Sequence, residues 1–161
     1  MSSPRARANH ALYLAGILIK QWRELLLAQD LPQAAVNAAF DPAVRLHLGH
    51  AYGWFLLQLS GEQTSAGEPP SCCEELPPVP EGKMEPGEIA EFRRLEAEGW
   101  LHDMLNSASA QPAVQSARSP RRAGGGLSVS EVGESELERA QQWKSRLETI
   151  FERMSDSLDE C

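Results

Sequence analysis

Residues 41–61 read Asp-Pro-Ala-Val-Arg-Leu-His-Leu-Gly-His-Ala-Tyr-Gly-Trp-Phe-Leu-Leu-Gln-Leu-Ser-Gly, and this stretch decides the fold. Asp41 is placed to cap a helix N-terminus, and Pro42 suits the first helical position, where its missing N–H leaves no bond unmade. Two apolar rows follow at helical spacing: Val44, Leu48, Ala51/Tyr52, Phe55, Leu59 on one, and Leu46, Gly53/Trp54, Leu57 on the other. Gly61 supplies a residue that tolerates the left-handed conformation at the stop. Gly49 and Gly53 lie four residues apart and so share a face, and each disfavours a helix by about 1 kcal/mol relative to Ala. Their presence predicts the close approach of a second helix.

Toward the N-terminus, Ala11, Leu14/Ala15, Leu18, Trp22 and Leu25/Leu26 recur at steps of three and four, predicting a helix from about Arg5 to Gln29. Tyr13, Ile17 and Leu27 widen the stripe, so this helix is expected to pack on more than one side. Pro32 then opens a short helix through Ala39. The order Arg5, Arg7 and an apolar run from Ala11 to Ile19 imitates a signal peptide, but Lys20-Gln-Trp-Arg-Glu24 follows in place of a small-residue cleavage site. The run is also much shorter than the roughly 20 residues that span a bilayer.

Beyond Gly61 the character changes. Residues 62–85 contain six glutamates, a single Lys83, and Pro69, Pro70, Pro77, Pro78 and Pro80. That composition predicts an acidic, extended, solvated linker without a fixed fold, because it offers little apolar surface to offset ordering entropy. Glu85-Pro86 opens a third helix to about Asn106, in which Arg93 and Glu96 intrude beside Ile89 and Phe92. Residues 107–129, with Arg118-Ser-Pro-Arg121-Arg122 and three successive glycines, read as a flexible loop. The last helix begins near Ser130 or Glu134 and has the cleanest stripe: Ala140, Trp143, Leu147, Ile150/Phe151, Met154 and Leu158. No segment shows strand alternation. The expectation is an all-α, antiparallel four-helix bundle in a single domain over 1–161, with Trp54, Trp100 and Trp143 in its core.

The chain has 161 residues, 42% of them hydrophobic, and a formal net charge of -8. That charge opposes binding to nucleic-acid phosphates and gives no attraction to an anionic membrane. Cys72, Cys73 and Cys161 cannot form a closed disulfide set, and the adjacent pair is geometrically strained as a disulfide. The pattern fits a reducing cytoplasm, with Cys72 and Cys73 as surface thiols in a mobile loop. No CxxC or HExxH spacing supports a metal, so neither metal nor cofactor is expected.

One pair of residues carries possible chemistry. Arg45 and His50 stand about one turn apart on the helix but about 140° apart around it. The Arg-x4-His spacing resembles the motif of HEPN ribonucleases, helical proteins that place such residues at a dimer interface to act on an RNA 2′-hydroxyl and its phosphate. Histidine suits proton transfer near neutral pH and arginine suits phosphate, so that chemistry needs no metal. The same spacing arises by chance in many helices, and the net acidity opposes RNA. His50 beside Leu46, Trp54 and Leu57 also reads as a packed boundary histidine. His102-Asp103 reads as a helix-end cap, and His10 as part of the first helix.

Three segments, residues 7–13 (Arg-Ala-Asn-His-Ala-Leu-Tyr), 46–54 (Leu-His-Leu-Gly-His-Ala-Tyr-Gly-Trp) and 96–101 (Glu-Ala-Glu-Gly-Trp-Leu), resemble a family of small helical gammaproteobacterial proteins known only as a domain of unknown function. The likeness extends to the terminal helix with Trp143, while the acidic linker and the Arg/Gly loop look like insertions. The resemblance implies a helical fold in a bacterial cytoplasm and assigns no functional residue. The resulting expectation is a non-enzymatic bundle acting through a protein partner or self-association, with a metal-independent ribonuclease using Arg45 and His50 as the alternative.

Overall fold

The computed structural model describes residues 3–61, 67–106 and 135–159, with side chains described up to residue 157. The expected loop at 107–129, Cys161 and the side chain of Leu158 lie outside the described residues. Those described form an all-α bundle of five helices: α1 (Pro4–Ala28), α2 (Gln33–Ser60), α3 (Gly87–Ala97), α4 (Trp100–Asn106) and α5 (Glu136–Asp159). None of them is long and apolar enough to cross a membrane.

Helix α1 starts where its sequence offers a cap: the Ser3 side chain accepts from the Ala6 N–H at 3.2 Å, and Pro4 takes the first position. It ends at Gln29, which adopts the left-handed conformation at φ 56°. A short connection at 29–32 then reverses the chain, and α2 returns antiparallel to α1. Trp22 near the end of α1 donates to Asn37 Oδ1 at 2.9 Å and stacks on Phe40 with ring centroids 6.3 Å apart. At the other end, the Arg7 guanidinium lies 4.4 Å from the centre of the Trp54 ring. These contacts fix the hairpin at both ends.

The deciding stretch does not begin a helix. Helix α2 runs unbroken from Gln33 through Pro42 to Ser60, so the expected short helix ending at Ala39 and the helix starting at Pro42 are one element. Asp41 is accordingly not an N-cap; it accepts from Arg45 one turn later. An interior proline removes a hydrogen bond and crowds the preceding turn, at about 3 kcal/mol. Tertiary packing on both sides offsets that cost: Val36 is buried before the proline and Val44 and Leu48 after it. Gly61 ends α2 as read, at φ 74° with its N–H directed to the Leu57 and Gln58 carbonyls.

Helix α5 packs against both members of the hairpin and runs parallel to α2. Phe151 stacks on Phe55 with centroids 3.9 Å apart, while one end of the seam is closed by Arg45 over Trp143. The fourth bundle position is shared by two short helices. The expected single helix to Asn106 is interrupted at Glu98, whose φ of -146° and ψ of 89° are not helical. Gly99 is a poor helix former at that point, and the break directs Leu101 and Met104 inward, where both are buried. Phe92 of α3 meets Tyr52 edge-on at 5.1 Å and Phe55 at 6.2 Å. Trp22, Trp54 and Trp143 are buried; Trp100 is half-buried, with Arg146 5.7 Å from its ring centre.

Candidate functional site

Three places concentrate polar chemistry or open surface. The first holds the residues singled out by spacing. The Arg45 side chain is 11% exposed, and its Nε donates to Asp41 at 2.9 to 3.0 Å. Its guanidinium lies 5.0 Å from the centre of the Trp143 ring, and its Nη1 is buried with no acceptor among the described residues. Arg45 thus serves the seam between α2 and α5. His50 sits half-buried in a different company, close enough to His47 that its charge, with that of His10 on α1, depresses the His47 pKa after burial has already done so. The turn of about 140° between positions 45 and 50 explains the separation.

The second place is buried under the acidic segment. Tyr52 of α2 donates to Glu96 Oε1 of α3 at 2.5 Å, and the Cys73 backbone N–H donates to the same oxygen at 2.9 Å. The Cys73 thiol lies 3.4 Å from the Tyr52 hydroxyl. Cys73 is therefore no surface thiol: it is 1% exposed, in a 3-10 turn over Cys73–Glu75. Burial, with the Glu96 carboxylate adding, pushes its pKa up to about 12, and burial likewise drives Tyr52 far above the ordinary phenol value. Both groups stay protonated and unreactive at neutral pH, which suits anchoring.

Gly53 supports the same anchor. A Cβ there would stand 2.1 Å from the Pro70 carbonyl oxygen and 2.9 Å from Pro69 Cβ, whereas a Cβ on Gly49 would meet nothing within 4 Å. The close approach predicted from the two glycines exists at Gly53 alone. Its partner is the proline segment, not a helix. Composition could not reveal this, because the anchoring rests on a few residues, Pro69, Pro70, Cys73 and Leu76, in a stretch otherwise rich in glutamate and proline.

The third place is a groove between α1 and α5. It encloses about 1050 Å³ and is floored by Leu12, Phe55 and Phe151, with Tyr13 and Ile17 on the α1 wall and Thr149 and Glu152 on the α5 wall. Past Gly16 it continues into a shallower hollow of about 450 Å³ bounded by Ile19, Lys20, Arg23 and Gln141. Gly16 permits this continuity by letting the Lys144 stem lie across it; a Cβ would come within 3.1 Å of Lys144 Cε. Lys144 in turn pairs with Glu148 one turn along α5.

Helix α1 packs against both α2 and α5, but Tyr13 and Ile17, 65% and 42% exposed, do not widen its buried stripe as expected. Leu27 at 75% and Leu46 at 56% are exposed as well, which removes Leu46 from the second apolar row of α2. The signal for Tyr13 and Ile17 was present in their row: Asn9 precedes them at one end and Lys20 follows at the other, so the row is polar at both limits. Compared with known proteins, the chain matches no family model, no curated sequence and no solved structure.

Proposed function

We propose that this protein is a non-enzymatic helical bundle that acts through protein contacts at the α1–α5 groove, in a reducing cytoplasm. The observation that carries the reading is the exposure of Tyr13 and Ile17 beside a floor of Leu12, Phe55 and Phe151. Leu12, Phe55 and Phe151 are themselves buried, so the apolar surface left in water is that of Tyr13 and Ile17, and an exposed aromatic beside an aliphatic side chain is typical of protein interfaces. Of the segments that carry the family resemblance, residues 7–13 supply Asn9, Leu12 and Tyr13 to this groove. Cys72, half-buried, and Cys73 are both free thiols, the state a reducing compartment maintains.

The ribonuclease alternative needs Arg45 and His50 to reach one phosphate. The pairing of Arg45 with Asp41 and its stacking on Trp143 favour the interaction reading instead. A photo-crosslinking residue placed at position 13 or 17 in living cells tests it. Protein adducts are expected at both positions and not at position 46, which is exposed outside the groove. Equal labelling at 46, or none at 13 and 17, would overturn the reading.

A further inference from the structure

We infer that the α1–α5 face is covered by the same face of a second copy, turned about a two-fold axis that runs along the helices. The inference rests on the interaction reading above and names the partner. Helix α1 runs antiparallel to α5, and the groove orders their residues by height: Arg5 and Asn9 lie with Glu152 and Ser155 at one end, Lys20 with Glu148 at the other. A two-fold rotation about an axis parallel to the helices preserves height while exchanging left and right. Each copy's α1 then lies over the other copy's α5. Tyr13 and Ile17, open in the single chain, are then covered against the α5 wall of the other copy, while Leu12, Phe55 and Phe151 beneath the groove are already buried.

Charge selects this pairing over α1 on α1. In the groove, the α1 wall carries the cations Arg5 and Lys20 and no carboxylate, whereas the α5 wall carries Glu148 and Glu152, with Lys144 already bonded to Glu148. Exchanging walls sets Lys20 of each copy against Glu148 of the other, and a carboxylate accepts from more than one donor. The alternative two-fold, perpendicular to the helices, would oppose cations to cations and carboxylates to carboxylates. Closed two-fold dimers with self-complementary faces are also the commonest way for a soluble chain to bury such a surface.

Sedimentation equilibrium of the full chain is expected to show a monomer–dimer equilibrium. Ile17→Glu should raise its dissociation constant by roughly thirtyfold or more, as loss of an interface hot spot does, with the helical circular-dichroism signal unchanged. Charge variants then test the geometry. Lys20→Glu alone and Glu148→Lys alone should each dissociate. Mixed together, they should form a heterodimer, because the glutamate of one faces the lysine of the other and the native pair forms across the second contact. A monomer at all concentrations, a dimer indifferent to Ile17→Glu, or a mixture that stays monomeric would overturn the inference. Crosslinks from positions 13 and 17 that reach only a different protein would overturn it too, while leaving the interaction reading intact.

Discussion

Gly53 and Gly49 look alike in the sequence and differ in what surrounds them. Gly49→Ala is expected to stabilise the fold by up to about 1 kcal/mol, because it lowers the backbone entropy lost in a helix and meets open space. Gly53→Ala gains the same backbone benefit but drives a methyl into the Pro70 carbonyl, and overpacking of that kind costs about 1–3 kcal/mol. Urea denaturation of the two variants should move in opposite directions; a stabilised Gly53→Ala would mean that the proline segment does not sit on α2. The helix spacing of both glycines was legible, and the chain that approaches one of them was not. A second residue-scale expectation concerns pH. The Cys73 thiol has a reference value of 9.0 and is pushed up to about 12 in the fold, so above the reference value the unfolded chain releases a proton that the folded chain keeps. Stability is therefore full below pH 9 and declines as pH rises toward 12, by at most about 1.4 kcal/mol per pH unit for one such group. Urea titrations across that window should show the decline; Cys73→Ala should remove its onset just above pH 9.0, while the contribution of Tyr52 beyond its reference value of 10.0 persists. On the acid side the sign reverses. His47 is held below its ordinary value of 6.5, so the unfolded chain binds the proton more readily, and stability falls as pH drops through that value.

At the scale of elements, the apolar rows of α2 and α5 were legible because tertiary packing and helical period agree there. Val44, Leu48, Phe55, Trp143, Leu147 and Met154 are all buried as their spacing required. The boundaries were less legible. Asp41-Pro42 has every local mark of a helix start, yet the segment before it, with Val36 buried and Asn37 bonded to Trp22, is held in the same helix by contacts that sequence spacing does not show. The proline stands on an exposed face, so its removal creates no cavity. Pro42→Ala is expected to raise stability by up to about 3 kcal/mol, read as a higher thermal midpoint. A lower midpoint would show that the backbone restriction imposed by Pro42 contributes to the packing of α2. Glu96 teaches the complementary lesson: it looked like a polar intrusion in the stripe of α3, and it is the acceptor that holds Tyr52 and the Cys73 backbone.

For the whole molecule, four bundle positions followed from the sequence, since each strong apolar period must bury its stripe against another. The open side did not follow, because a row such as Tyr13 and Ile17 has the same period whether it faces the protein's own core or another surface. The bundle is also uneven in how its parts depend on distant sequence. Helices α1 and α2 are neighbours in the chain, joined by a short turn, and share Trp22, Asn37, Phe40, Arg7 and Trp54. The seating of Pro69 and Pro70 on Gly53, and of Cys73 between Tyr52 and Glu96, needs α3 to be in place as well. In kinetic terms, the hairpin has the low loop-closure cost of an early structure, and the proline seat belongs to the late side of the barrier. Gly53→Ala should then leave the refolding rate nearly as it is and accelerate unfolding, with a φ-value near zero in a stopped-flow chevron. The glycine would set how long the native state lasts, and have little influence on how quickly it is reached.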